Sequence, residues 1–164
     1  MTSDEVTIYL GLGSNMDNRK ENLARALELL AQRVSIVLSS SIYDTAPVGN
    51  ADQPRFLNMV CQGTTRLAPM GLLMIAKAIE SKMGRVAKVP NAPRPIDIDI
   101  LFYGNQKVNS PDLVIPHPRI AERAFVLVPL AEIAPELVHP ALGKKIKELR
   151  KKVEGQDVLP YTGE

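Results

Sequence analysis

Apolar and polar positions alternate along this chain with two periods, and each period indicates a type of element. Apolar runs with the period of a strand predict four strands, at 6–10, 34–43, 56–65 and 96–102. Apolar stripes with helical spacing predict two helices, at 18–33 and 69–83. Asn18 followed by Glu21 fits a capping box at the start of the first helix. Pro69 suits the first turn of the second helix, and Gly84 its C-cap.

The order of these elements predicts the fold class. Strand, helix, strand, strand, helix and strand form the βαββαβ core of ferredoxin-like α+β proteins, whose antiparallel sheet carries both helices on one face. The other face is then left for a site or for covering elements. The remainder of the chain looks like a C-terminal extension that provides this cover, with short elements predicted at 113–115, 118–124 and 144–153. We expect a single domain over residues 1–164.

Composition limits the class of protein without selecting a function. Hydrophobic residues make up 45% of the 164 residues and charged residues 23%, which is typical of a globular domain. The net charge of +2 is too small to indicate nucleic-acid binding by itself. Cys61 is the only cysteine, which excludes an intramolecular disulfide and predicts an inert core thiol. No signal-peptide pattern and no apolar stretch of membrane-spanning length is present, so we expect a cytoplasmic protein without a membrane partner.

The last predicted strand of the core carries the most informative pattern in the chain. Asp97 and Asp99 alternate with isoleucines, so both carboxylates project from the same side of the strand. Two like charges held this close repel each other, and a cation between them removes the conflict. Carboxylate oxygens suit Mg²⁺, and Arg94 beside them suggests a phosphate partner. The alternative is an edge strand whose solvated face carries two aspartates.

Two further motifs invite a nucleotide interpretation. The segment 11–15, Gly-Leu-Gly-Ser-Asn, lies between a strand and a helix, but Met16 replaces the third glycine of a dinucleotide loop and no P-loop lysine follows. We expect these glycines to serve a tight turn and close backbone packing. His117, followed by Arg119 and Arg123, would make a triphosphate clamp. The alternative is a helix-capping histidine beside a solvated basic face. His139 is expected to be a surface or turn residue.

Several segments together resemble one protein family in its own order across nearly the whole chain. The matching segments are 11–15, 43–49, 53–58, Glu80 with Gly84-Arg85, 93–100 and 116–127. They resemble the 6-hydroxymethyl-7,8-dihydropterin pyrophosphokinases of folate biosynthesis. The resemblance implies transfer of a pyrophosphoryl group from ATP to the pterin hydroxymethyl group, with release of AMP. The enzyme would be a 2-amino-4-hydroxy-6-hydroxymethyldihydropteridine diphosphokinase, with two Mg²⁺ ions as cofactors.

The resemblance also assigns residues to roles, each at a position that matches the family motif. The residues implied in catalysis are Arg85, Arg94, Asp97 and Asp99, of which Asp97 and Asp99 hold the metal ions. Those implied in ATP binding are Lys88, Arg94, Ile100, His117 and Arg123. Those implied in pterin binding are Thr45, Ala46, Val48, Phe56, Asn58, Asp97 and Phe125. Phe56 and Asn58 share one face of their strand, so periodicity agrees with this assignment.

Other functions are kept as alternatives. One is a different Mg²⁺-dependent nucleotidyl or phosphoryl transferase, which would release pyrophosphate or ADP. Another is a non-catalytic ferredoxin-like module that binds RNA through the basic residues of 144–153. Glu148 and Glu154 interrupt that basic run, and the acids at Asp97 and Asp99 lie where a nucleic-acid surface should be basic. We therefore expect ATP and the dihydropterin as partners, no nucleic acid, and a monomer.

Overall fold

The structure, a computed structural model, describes residues 4–46, 54–84 and 95–163. The strands in these ranges are β1 (Val6–Ser14), β2 (Ser35–Ser39), β3 (Tyr43–Thr45), β4 (Phe56–Thr65), β5 (Asp97–Tyr103), β6 (Val108–Asn109), β7 (Val114–Ile115) and β8 (Val158–Pro160). The helices are α1 (Arg19–Ala31), α2 (Pro69–Lys82), α3 (Ala124–Ile133) and α4 (Ile146–Lys151), with a short 3₁₀ turn at Ile120–Glu122. The protein is therefore a mixed α and β structure, as its apolar periodicity predicted.

The main sheet is antiparallel and places β1 at its centre. Its strand order is β5-β1-β4-β3-β8, and β2 also pairs with β4. Gly13 of β1 lies opposite Asp97 of β5 on one side and opposite Asn58 of β4 on the other. Gly11 is flanked in the same way by Asp99 and Val60. Because paired residues project to the same face, these two rows lie side by side on one surface of the sheet.

The first face of the sheet packs against α1 and α2. Ile8, Leu10 and Leu12 of β1 are at most 2% exposed and belong to the same apolar cluster as Leu23 of α1 and Leu72 of α2. The predicted ends of both helices are confirmed: Asn18 Oδ1 accepts a hydrogen bond from the Glu21 N–H, and Gly84 follows α2 at a positive φ of 94°. Alternation on β1 and β4 therefore sends every second side chain into this core.

The opposite face is covered over only part of its area. Residues of α3 and α4 form a second apolar cluster with Tyr9, Val60 and Phe102 of the sheet. The cluster buries Val60 at one end of the Gly11 row, and it leaves a cleft open beside Gly13, Asp97 and Asp99. Among the described residues, no helix has both the length and the apolar character that a membrane span requires. The C-terminal part of the chain therefore walls off one side of an open area on the sheet.

Two details of the sheet differ from the sequence prediction. The strand predicted at 34–43 is split into β2 and β3 because Ser40 takes over the pairing with β4: its Oγ accepts from the Val60 N–H at 2.9 Å and its N–H donates to the Val60 carbonyl at 2.8 Å. The strand β8 was not predicted. It is short and mostly exposed, so it carries no apolar alternation that a pattern search detects.

Candidate active site

A cleft of about 450 Å³ lies on the open area of the sheet, beside α3. Its floor comes from β1, β4 and β5, and its walls come from β3 and from residues before and in the first turn of α3. The lining residues are Gly11, Leu12, Gly13, Thr45, Ala46, Phe56, Asn58, Met59, Val60, Asp97, Asp99, Arg119, Arg123, Phe125 and Val126. Neighbouring strands are about 4.8 Å apart, so Asp97 and Asn58 face each other across Gly13 at about 10 Å between their main chains.

Gly13 gives the cleft its floor because no side chain fits at that position. A Cβ atom there would lie 2.6 Å from Oδ1 of Asn58 and 3.4 Å from Cδ1 of Phe56. Gly11 differs, since the nearest atoms to a Cβ there would be those of the Leu101 side chain, at an ordinary 3.5 Å. The structure therefore confirms close packing at Gly13. The expected tight turn at 11–15 is wrong, because β1 continues through both glycines to Ser14 and neither glycine has a positive φ.

One end of the cleft presents a fixed amide and two aromatic rings. Asn58 is buried, and its Nδ2 donates a hydrogen bond of 2.7 Å to Oγ1 of the buried Thr45. This bond fixes the orientation of the amide and directs Oδ1 away from Thr45. Phe56 and Phe125 also line the cleft. Aromatic faces beside an oriented amide suit a flat heterocycle with hydrogen-bonding groups on its edge.

The other end presents two carboxylates. Asp97 and Asp99 are both partly buried and both line the cleft, as the alternation on β5 predicted. No group of three or more histidine, cysteine, aspartate or glutamate side chains that could hold a metal ion occurs within 4–46, 54–84 and 95–163. A pair of carboxylates fits Mg²⁺, which takes its other ligands from water and phosphate, and does not fit a metal that needs a full set of protein ligands.

Arg123 brings positive charge to the same end. Its guanidinium carbon lies 5.3 Å from the centre of the Phe125 ring, and its buried Nε has no hydrogen-bond partner within the described ranges of the chain. Burial lowers the pKa of Arg123, and the negative charge of Asp99 opposes that shift. Arginine nevertheless stays charged in proteins. A buried guanidinium nitrogen without a partner beside a carboxylate pair is suited to an anion that enters together with a cation.

His117 lies beside these charged groups in its neutral form. Burial, reinforced by the positive charge of Arg123, lowers the pKa of His117, while Asp97 raises it. Its Nδ1 accepts a hydrogen bond of 3.4 Å from the Arg119 N–H. The proton is therefore on Nε2, which leaves this nitrogen as a donor for an acceptor such as a phosphate oxygen.

The structure brings together most of the residues that the sequence selected. Eight of them line one cleft: Thr45, Ala46, Phe56, Asn58, Asp97, Asp99, Arg123 and Phe125. Ile100 differs, because its side chain is 5% exposed and packs in the core on the opposite face. Val48, Arg85, Lys88 and Arg94 lie outside the described residues.

His139 is a correction to the expectation of a surface residue. Its ring is 7% exposed and packs edge-on against Phe102, with 5.5 Å between ring centres. Its Nδ1 accepts hydrogen bonds from the N–H groups of Ala141 and Leu142, both at 3.1 Å. The turn that His139 organises was expected, but the burial was not, because its neighbours in sequence are mostly exposed.

Glu80 supports the carboxylate end of the cleft, and sequence reasoning gave it no role. It lies on α2, is 3% exposed, and accepts a hydrogen bond of 2.7 Å from the Ile98 N–H through Oε2. Ile98 stands between Asp97 and Asp99, so this bond ties α2 to the main chain that carries both carboxylates. A glutamate within the apolar stripe of a helix was the signal that could have found it.

Replacing Glu80 by alanine is expected to destabilise the fold. The buried Ile98 N–H would lose its acceptor, and leaving such a group unsatisfied costs about 1–3 kcal/mol of the free energy of unfolding. Urea denaturation measures this loss, with Glu28→Ala, an exposed glutamate of α1, as the control. The control should change the free energy by less than about 0.5 kcal/mol. Equal effects of the two substitutions would contradict the role given to Glu80.

The fold and the cleft define a class of protein: a mixed α and β domain whose cleft is suited to a flat polar ring at one end and to an anion with a hard cation at the other. The family pattern described as 7,8-dihydro-6-hydroxymethylpterin-pyrophosphokinase matches residues 9–135. The chain belongs to this family, which confirms the resemblance seen in its motifs.

Two bacterial relatives match over most of their own length. The 2-amino-4-hydroxy-6-hydroxymethyldihydropteridine pyrophosphokinase of Bacillus subtilis is 43% identical over 131 residues, which are 79% of this chain and 78% of that protein. The protein of the same name from Methylorubrum extorquens is 48% identical over 132 residues, which are 79% of this chain and 84% of that protein.

Other relatives are much longer than this chain. The folic acid synthesis protein fol1 of Pneumocystis carinii is 40% identical over 96% of this chain, and the match spans 21% of that protein. In two Arabidopsis thaliana folate synthesis bifunctional proteins the match spans 24% and 27% of their length. A crystal structure of Plasmodium falciparum HPPK-DHPS with pteroate superposes with a TM-score of 0.73 at 18% identity, covering 91% of this chain and 42% of that chain. That likeness shows the fold.

Proposed function

We propose that this protein transfers a pyrophosphoryl group from ATP to the hydroxymethyl group of 6-hydroxymethyl-7,8-dihydropterin and releases AMP. One observation carries the proposal: a carboxylate pair and an oriented amide with aromatic rings face each other across a glycine floor in one cleft. The two ends suit the two halves of such a reaction, a metal-bound polyphosphate and a flat pterin. Membership of the pyrophosphokinase family supports the same assignment.

At the pterin end, this chain's residues bind and orient the acceptor. The amide of Asn58 would hydrogen-bond the pyrimidine part of the ring, and its orientation is already fixed by Thr45. Phe56 and Phe125 would contact the two faces of the ring. A ring held in this way directs its hydroxymethyl group toward Asp97, across the floor made by Gly13. Positioning of this kind accounts for a large part of the rate enhancement in phosphoryl transfer.

At the phosphate end, charged groups hold the donor. Asp97 and Asp99 would hold two Mg²⁺ ions, which would neutralise negative charge on the phosphates of the donor. Arg123 would bind a phosphate oxygen through its guanidinium group, and His117 would donate from Nε2 to another. Preorganised donors aimed at developing charge are the main source of catalysis in such sites.

Further roles follow from family membership and complete the proposal. Arg85 and Arg94 would stabilise charge on the bridging oxygens, Lys88 would add an ATP contact, and Val48 would add a main-chain pterin contact. Ile100 would contact ATP through its main chain, since its side chain lies in the core. We also infer that the sheet order β5-β1-β4-β2, with α1 and α2 on one face, is the ferredoxin-like arrangement. The elements α3, α4 and β8 then form its C-terminal extension. We further infer that the chain is one pyrophosphokinase domain and acts as a monomer.

Replacing Arg123 by methionine is expected to weaken ATP binding by about tenfold or more. Methionine fills much of the same buried volume but removes the charge, and a charge-assisted hydrogen bond contributes about 1.5–3 kcal/mol. Isothermal titration with a non-hydrolysable ATP analogue and Mg²⁺ measures the change. Arg25→Met on the exposed surface of α1 is the matched control and should leave the dissociation constant unchanged. Unaltered binding by the Arg123 variant would contradict the proposed contact.

The proposed reaction is tested by the acceptor dependence of ATP consumption. ATP should be consumed when Mg²⁺ and 6-hydroxymethyl-7,8-dihydropterin are both present. It should not be consumed with 6-methyl-7,8-dihydropterin, which lacks the accepting hydroxyl group, or after removal of Mg²⁺ with EDTA. Consumption that continues with the methyl analogue would show that another acceptor is used, and no consumption with the complete mixture would reject the proposal.

A further inference from the structure

Gln156 supplies an N-terminal cap to α3 from far along the chain. Its Oε1 accepts a hydrogen bond of 3.0 Å from the N–H of Ala124, the first residue of α3, and its Nε2 donates to the Glu122 carbonyl at 3.0 Å. Arg123, at the N-cap position of α3, makes no capping hydrogen bond with its own side chain. Because the first N–H groups of a helix have no partner within the helix, Gln156 fixes the start of α3. Phe125, the next residue, is a wall of the cleft.

Asp157 holds the opposite wall. Its carboxylate accepts two hydrogen bonds from the Arg55 guanidinium, at 2.6 and 2.9 Å. Arg55 immediately precedes Phe56, and it also donates to the Asp44 carboxylate at 2.6 Å. The carbonyl of Asp157 accepts from the N–H of Ala46 at 3.2 Å. Asp157 is therefore bonded both to Ala46, which follows β3, and to Arg55, which precedes β4. Both segments border the end of the cleft proposed for the pterin.

Neither residue lines the cleft itself. Gln156 and Asp157 border a recess of about 290 Å³ that shares Thr45, Ala46 and Phe125 with the cleft. They also lie beyond residues 9–135, the part of the chain that matches the family pattern. Their contacts thus act on residues of the site from outside it.

We propose that Gln156 and Asp157 are positioning residues for the pterin, holding Phe125 and Phe56 at the spacing that the ring requires; this inference rests on the proposed function for the identity of the ligand. Two consecutive residues reach the two aromatic walls of one cleft through separate contacts. The segment thereby adds a polar link between the start of α3 and the β3–β4 part of the sheet, on which α3 also packs through the apolar cluster that contains Val60. Loss of either contact should loosen the aromatic walls while the carboxylate end keeps its own support from Glu80.

The two contacts should differ in size. Gln156 makes two hydrogen bonds to the main chain, so its contact should be the stronger one. Its replacement by alanine should raise the pterin dissociation constant about fivefold to tenfold. The ion pair between Asp157 and Arg55 is half-exposed: 50% of the Asp157 side chain and 36% of the Arg55 side chain are accessible to solvent. Solvent screening reduces the free energy that such an exposed ion pair contributes. Asp157→Asn should therefore raise the pterin dissociation constant only about twofold to threefold.

The experiment measures pterin and nucleotide binding separately on the full chain. Quenching of 6-hydroxymethylpterin fluorescence without nucleotide gives the pterin dissociation constant, and titration with an ATP analogue gives the second constant. Gln156→Glu keeps the acceptor for the Ala124 N–H and should retain most of the pterin affinity that Gln156→Ala loses. Glu136→Gln is the control, because it breaks ion pairs to Lys145 and Lys147 away from the cleft.

Selective loss of pterin affinity in Gln156→Ala and Asp157→Asn, with rescue in Gln156→Glu and no change in Glu136→Gln, supports the inference. A lower melting temperature without a change in the pterin constant would show a merely structural role and overturn it. AMP release by the unmodified protein is measured in parallel. If the variants lose pterin affinity selectively but the unmodified protein forms no AMP, the proposed reaction alone is rejected. If the unmodified protein forms AMP but the variants keep its pterin dissociation constant, this inference alone is rejected. An unmodified protein that neither binds pterin nor forms AMP would reject both.

Discussion

Replacing Asp99 by asparagine is expected to lower kcat/KM by about 10²–10³-fold while the fold stays intact. Asparagine keeps the size of the side chain but removes the negative charge that would hold Mg²⁺ on the phosphates. Electrostatic groups aimed at the reacting phosphates contribute about 3–4 kcal/mol each to lowering the barrier. Asp99 lies in the row of Gly11 and Val60, one row away from Asn58. Pterin binding without nucleotide should therefore change little.

Asp97 and Asp112 give this prediction its comparison and its control. Asp97 lies in the same row as Asn58, so Asp97→Asn should lower kcat/KM by a similar factor and also weaken pterin binding. Asp112 is an exposed acid before β7, and Asp112→Asn should leave both quantities unchanged. Steady-state kinetics together with pterin fluorescence separates the three variants. An Asp99 variant with more than a tenth of the original kcat/KM would contradict the metal-holding role.

Replacing Gly13 by alanine is expected to weaken pterin binding by about tenfold to 100-fold. The new methyl group would stand 2.6 Å from Oδ1 of Asn58, which is closer than any unstrained contact. Asn58 is buried and bonded to Thr45, so it can move only by giving up that hydrogen bond. A buried polar group that loses its partner costs about 1–3 kcal/mol, and each 1.4 kcal/mol is a tenfold change in affinity.

Gly11→Ala is the matched control for Gly13→Ala. It makes the same chemical change two residues away, on the same strand and the same face. Its methyl group would meet the Leu101 side chain at an ordinary 3.5 Å, so pterin affinity should change by less than about threefold. Fluorescence titration measures both variants, and nucleotide titration checks that the phosphate end is intact. Equal losses in the two variants would show that Gly13 has no special relation to Asn58.

The sequence predicted the central sheet and its two faces because alternation on long strands is a strong signal. The expectation that Phe56 and Asn58 share one face of their strand is confirmed, because both side chains line the cleft. The same alternation correctly placed Asp97 and Asp99 side by side. Cys61 is a buried residue of the core, and burial raises the pKa of its thiol to about 12, in agreement with an inert role.

Other features depend on contacts between distant parts of the chain, which no local pattern encodes. Ser40 interrupts a strand because its hydroxyl group bonds to Val60, 20 residues away. Glu80 is buried because the Ile98 N–H needs an acceptor, and a periodicity analysis sees only a polar residue in an apolar stripe. Gln156 lies in an exposed segment without regular periodicity, yet it caps α3. Polar residues that act on distant backbone groups are therefore the part of this site that the sequence did not reveal.

If two phosphoryl groups move together from ATP to the pterin, ³¹P NMR of the completed reaction shows both of them on the pterin. With Mg²⁺, ATP and 6-hydroxymethyl-7,8-dihydropterin, we expect the single resonance of AMP and two coupled resonances from a diphosphate ester on the pterin. ADP with a pterin monophosphate, or free pyrophosphate with a nucleotidylated pterin, would contradict this expectation.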